Sequence, residues 1–95
     1  MAPKEIVELH VIFRGRVQGV GFRATARHHA MRLALKGCVK NLPDGSVELF
    51  AHGTKEALNQ LVDLLKEEFG KEAVQTDNLT FSAPTHRHDS FQIDF

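Results

Sequence analysis

The chain has 95 residues, with 12 Lys and Arg against 12 Asp and Glu, and one cysteine. This length supports a single domain with one modest core. The balanced charge argues against a generic nucleic-acid binder, the lone Cys38 excludes an internal disulfide, and no apolar run approaches transmembrane length.

Glu5 to Arg14 alternates, with Val7, Leu9, Val11 and Phe13 on one face and Glu8, His10 and Arg14 on the other, as in a half-buried strand. Gly15 to Gly21 (GRVQGVG) is glycine-rich and breaks that pattern. Phe22 to Leu33 then runs at helical spacing, with Phe22, Ala26, Ala30 and Leu33 on one stripe. Gly37 to Leu42 reads as a second strand, Pro43-Asp44-Gly45 as a turn, and Ser46 to His52 as the paired third strand. Thr54 is a plausible N-cap for a second helix. Leu58, Leu61, Val62, Leu65 and Phe69 form its apolar stripe, and Gly70 suits its end. Residues 71 to 77 read as a loop. Leu79 to Ala83 and Phe91 to Phe95 read as short closing strands, with APTHRHDS between them as an exposed turn region.

The order is β-α-β-β-α-β with a short extra strand at the end. It predicts an α+β ferredoxin-like split βαβ sandwich, an antiparallel or mixed sheet with both helices on one face. That fold hosts many functions and does not choose among them.

The informative stretch is strand, glycine-rich loop and helix in direct succession. A helix start leaves N–H groups unpaired and carries partial positive charge, so it attracts anions. Gly15, Gly19 and Gly21 let the loop curl so that further amides point into the same hollow. No Gly-Lys-Ser/Thr ending is present, so this is not a Walker A loop. Gly19-x-Gly21-x-x-Ala24 matches a dinucleotide fingerprint only loosely, and the chain is too short for a doubly wound sheet.

Arg23 falls in the first helical turn, where a cation opposes the helix dipole. A bound anion would remove the conflict, because a guanidinium grips phosphate oxygens in pairs. On position alone, Arg23 is equally a solvated side chain like Arg27 or Arg32. Asn41 stands in a strand, where asparagine is depleted, and shares a face with Val39 on the side of the loop. Taken alone, a turn-adjacent asparagine is the simpler reading.

GRVQGVGFR (Gly15 to Arg23) resembles the acylphosphatase family, and GCVKNLPDGSVE (Gly37 to Glu48) resembles that family's strand-turn-strand motif. The two occur in the right order and at the right distance, and weaker similarity runs through the closing FQIDF. The resemblance implies a small ferredoxin-like enzyme that hydrolyses acyl phosphates to a carboxylate and inorganic phosphate, with no cofactor and no metal. It puts the phosphate-binding arginine on Arg23 and the water-orienting asparagine on Asn41. The phosphate loop falls on Arg16, Val17, Gln18, Gly19, Val20, Gly21 and Phe22. It implies an acyl phosphate substrate, with inorganic phosphate as product and competitive inhibitor. Three positions depart from the family pattern. Cys38 stands where an aromatic is common, Ala34 near a common glycine, and Phe95 where Tyr is common. Ala34 is expected to hold a strained backbone angle.

Other features have plainer readings. Asp44 reads as a turn residue and Glu48 as a solvent-facing strand residue, neither of them a catalytic base. His28-His29 and His86-x-His88 read as surface histidines, because adjacent helical residues point about 100° apart. Phe13 and Phe50 read as core-packing residues rather than RNA-stacking aromatics. The expectation is one domain over residues 1–95, cytoplasmic and monomeric, with no nucleic-acid or membrane partner. Two rivals differ in class. One is a non-catalytic module that binds phosphate or carbamoyl phosphate, as in larger carbamoyl-transfer proteins. The other is an RNA-binding ferredoxin-like domain, for which steeply salt-dependent binding would speak.

Overall fold

A computed structural model of the chain describes residues 5–85 and 88–94. The elements run β1 (Val7–Gly15), α1 (Phe22–Arg32), β2 (Lys36–Asn41), β3 (Val47–Gly53), α2 (Lys55–Phe69), β4 (Val74–Ser82) and β5 (Phe91–Asp94). The five strands form one sheet in the order β4-β1-β3-β2-β5. β5 runs parallel to β2, and the other neighbours are antiparallel. This is the ferredoxin-like order with its extra edge strand.

Alternation assigns the two faces of the sheet. Leu9, Val11 and Phe13 of β1, Val39 of β2, and Val47, Leu49 and Ala51 of β3 point toward the helices and are fully buried. α1 covers β2 and β5 with Phe22, Ala26 and Ala30, and α2 covers β3 and β4 with Leu58, Leu61, Val62 and Leu65. Fully burying such aliphatic and aromatic side chains contributes about 1.5–3 kcal/mol each against chain entropy. Phe22 joins the layers: its ring lies 4.9 Å from Phe13 and 5.0 Å from Phe69.

The helix ends follow local chemistry. The Thr54 hydroxyl accepts from the Ala57 N–H at 3.2 Å and caps α2, as the sequence predicts. α1 closes with Leu35 N donating to Ala30 O at 2.8 Å and Ala34 N to Met31 O at 3.1 Å. That is a Schellman closure, and its left-handed position is held by Ala34 at φ 57° rather than by glycine. The strained angle expected at Ala34 is present.

Three expectations need correction. The stretch 71 to 77 is not all loop, because β4 begins at Val74 and pairs with Gly15, Arg14 and Phe13. It is an edge strand with mostly exposed residues, so no alternation marks it. A register shift opposite Val11, with Asn78 at φ 52°, breaks it further as a β-bulge. His29 is not a surface histidine. It turns into the α1–α2 interface, with its Nε2 3.5 Å from the Glu68 carboxylate. Phe50 packs, but not in the core: it lies on the outer sheet face, its ring stacked on His10 at 4.3 Å. His86 and Phe95 lie outside the described residues.

Candidate active site

β1 delivers the chain to the loop, and three anchors hold the loop's shape. The Arg16 N–H donates to Ala73 O at 3.0 Å, and the Val17 N–H donates to Gly15 O at 3.0 Å. The Val17 side chain is buried beneath the loop. The third anchor is Gln18, whose Nε2 donates to the carbonyls of Leu42 at 2.9 Å and Ser46 at 2.8 Å. Beyond it the backbone takes left-handed turns at Gly19 (φ 77°) and Gly21 (φ 79°). A Cβ at either position would meet nothing within 4 Å. Backbone angle, not crowding, is what calls for glycine there.

α1 starts immediately after Gly21. No side chain caps it, and its first turn holds no acid. Its leading N–H groups and dipole lie at the hollow, which Gly21, Phe22, Arg23 and Ala24 help to line. The core contacts of Phe22 fix the direction of this helix end.

The hollow has a volume of about 180 Å³ and is lined by Gly19, Gly21, Arg23 and Asn41, with Val17 and Ile93 among its apolar walls. That is below the roughly 300 Å³ at which pockets for drug-sized ligands begin. It suits a small anion. Arg23 is half-buried at its edge, and its Nη1 donates to the Asp94 carbonyl at 3.4 Å, a long contact. Asn41 is the last residue of β2 and is exposed at the opposite wall.

Of the residues singled out in the sequence, Arg23, Asn41, Gly19, Gly21, Phe22 and Val17 line this one hollow. Arg16 and Val20 are exposed and are not among the residues that line the hollow, and the amides of Arg16 and Val17 are already paired within the protein. Two wall residues were not foreseen, Ala24 and Ile93. Alternation in FQIDF, with Phe91 buried, was the available signal for Ile93.

The acids near Asn41 are occupied. Asp44 accepts from the Ser46 N–H at 3.0 Å and takes Arg14 Nη1 at 3.0 Å. These partners, the Ser46 hydroxyl foremost, pull its carboxyl down to about 2. Such an acid is a poor proton acceptor near neutral pH. Glu48 lies on the outer sheet face, where His10 Nε2 is 2.9 Å away. Cys38 also faces outward, and burial foremost pushes its thiol up to about 11. It is therefore a thiol rather than a nucleophile at neutral pH. Among the described residues, no group of three or more His, Cys, Asp or Glu is arranged to hold a metal ion.

Comparison with known proteins gives the family and the fold. The acylphosphatase family model matches residues 9–93. An acylphosphatase from Petrotoga mobilis is 42% identical over 88% of this chain and 93% of its own length. One from Caldivirga maquilingensis is 51% identical over a stretch that is 63% of this chain and 64% of that protein. The crystal structure of acylphosphatase from Bacillus subtilis superposes with a TM-score of 0.79 at 35% identity, covering 94% of this chain and 99% of the other.

Proposed function

The chain belongs to the acylphosphatase family and is an enzyme of that kind; from that premise we propose which groups perform the hydrolysis and how. The phosphoryl group of an acyl phosphate sits in the hollow, held by the amides from Gly19 to the start of α1 and by two hydrogen bonds from the Arg23 guanidinium. Asn41 orients a water in line with the carboxyl–phosphate bond. The water oxygen bonds to phosphorus as the bond to the acyl oxygen breaks, and the water's proton passes to a phosphate oxygen. Carboxylate and inorganic phosphate leave.

So few groups suffice because of the leaving group. A carboxylate has a pKa of roughly 4 and departs unprotonated, so no general acid is needed. Phosphoryl transfer asks mainly for positioning and charge stabilisation. An uncapped helix start with no acid in its first turn supplies both to an anion. No step in this scheme calls on a metal.

What carries the reading is that Arg23 and Asn41, from separate elements, line one small hollow at that helix start. The test is turnover of benzoyl phosphate in the presence of a chelator, with inorganic phosphate as inhibitor. Metal-independent turnover with competitive inhibition supports the scheme. A folded protein that binds phosphate without turnover would instead be the non-catalytic module.

We read residues 1–95 as one domain that works as a cytoplasmic monomer without nucleic acid. The balanced charge supports this. So does the scatter of the exposed large apolar residues among the described ones, with Ile6 before β1, Val20 in the loop, Met31 in α1 and Leu79 in β4.

A further inference from the structure

The loop that holds the hollow and the strand end that carries Asn41 are separate pieces of chain. One side chain joins them. Gln18 sends its amide group from the loop to the β2–β3 turn, donating to Leu42 O at 2.9 Å and Ser46 O at 2.8 Å. Both partners are carbonyl acceptors, so only the NH2 end of the amide serves both, and its orientation follows from the contacts.

These two carbonyls close the turn. Leu42 N donates to Ser46 O at 2.8 Å, and Gly45 N donates to Leu42 O at 3.1 Å. The Leu42 N–H belongs to the peptide that directly follows Asn41, so holding the Ser46 carbonyl to which it donates steadies the backbone from which the Asn41 side chain projects. Asp44 grips the same turn from the other side, through Ser46 and Arg14. Asn41 itself is exposed at the end of β2, where it pairs with Val47 of β3.

We propose that Gln18 is a positioning residue for Asn41: its side-chain amide sets the distance between the water-orienting asparagine and the anion-holding loop. This rests on the water-orienting reading of Asn41 given above. The Gln18 side chain reaches the β2–β3 turn and is not among the residues that line the hollow. Arg23 and the helix-start amides have a support of their own, the burial of Phe22 against Phe13 and Phe69. Loss of the Gln18 amide therefore displaces Asn41 while leaving the grip of Arg23 and the helix-start amides in place. Misplacement of a reacting group by about 1 Å costs on the order of a hundredfold in rate.

The experiment is a double-mutant cycle in the full chain: wild type, Gln18→Leu, Asn41→Ala and the double variant. It reads kcat and KM with benzoyl phosphate, and the affinity for inorganic phosphate from competitive inhibition. The expected result is a fall of about tenfold to a hundredfold in kcat for Gln18→Leu. KM and phosphate affinity stay within about twofold, since ground-state binding is intact. In the Asn41→Ala background, Gln18→Leu costs no further kcat, because the residue it acts through is gone. A purely structural glutamine would not give that dependence. Gln18→Met, of similar length and without a donor, repeats the measurement if the leucine variant does not fold.

Independent, multiplicative losses in the double variant would overturn the proposal. So would a loss of phosphate affinity as large as the loss in kcat/KM. Asn41→Ala with unchanged kcat would instead overturn the water-orienting reading, and this inference with it.

Discussion

His52 Nε2 lies 2.7 Å from Glu8 Oε1 across the β1–β3 ladder, on the sheet face turned away from the helices. Both side chains are nearly buried, at 11% and 5% exposure. The Glu8 carboxylate also accepts from the Thr85 hydroxyl at 2.9 Å and the Thr85 N–H at 3.3 Å. It therefore ties the segment after β4 back onto the sheet. Removing one partner of a buried pair leaves the other uncompensated. Glu8→Ala is expected to destabilise the fold by about 2–3 kcal/mol, measured by urea unfolding. The pair faces away from the hollow, so kcat is expected to stay at the wild-type value while the protein remains folded. A loss of activity without a loss of stability would mean that the outer sheet face communicates with the site.

Ala34 offers a gain rather than a loss. It is exposed and holds the left-handed position of the Schellman closure at φ 57°, where a Cβ is unfavourable. Ala34→Gly relieves that strain at some cost in unfolded-chain entropy. The net expectation is a stabilisation of about 1 kcal/mol, read as a rise in the urea midpoint with an unchanged slope. An unchanged or lower midpoint would show that the closure tolerates alanine without strain.

The parts of the molecule that sequence reading recovered are those whose signal is local. β1 and β3 alternate, the apolar stripe of α2 repeats at helical spacing, and the Pro-Asp-Gly turn carries its own chemistry. Arg23 stood out because a cation in a first helical turn conflicts with the dipole, and it lies at the edge of the hollow. β4 was not legible at its start. An edge strand that is mostly exposed and bulged at Asn78 has neither a buried face nor an unbroken period. His29 escaped because its burial depends on how α1 meets α2, which one helix's sequence does not state. The bridge made by Gln18 was hidden for a related reason. Loop and turn approach each other only once β1, β3 and β2 have paired, so its two acceptors exist only in the folded chain.

Asp44 gives the fold a specific acid sensitivity. Its carboxyl is held down at about 2, by the Ser46 hydroxyl first, then the Ser46 N–H and Arg14. A carboxyl lowered in the folded state contributes stability that is present above its unfolded value. That contribution is lost as pH falls through the folded value. The window is therefore between about 4 and about 2. Stability of the wild type should fall more steeply across that window than that of Asp44→Asn, which has no proton to take up there. Thermal melts of the two proteins from pH 5 to pH 2 measure the difference. Parallel curves would remove Asp44 from the account.

The measurement that bears most directly on the central claim is benzoyl phosphate hydrolysis by Arg23→Lys beside wild type, with a chelator present and inorganic phosphate as the inhibitor. Lysine keeps the charge and loses the two-pronged grip. The account predicts that the variant loses most of its turnover, at least about a hundredfold, and weakens inhibition by phosphate while the fold is unchanged. Turnover and phosphate inhibition equal to wild type would contradict it, and would mean that Arg23 does not hold the anion.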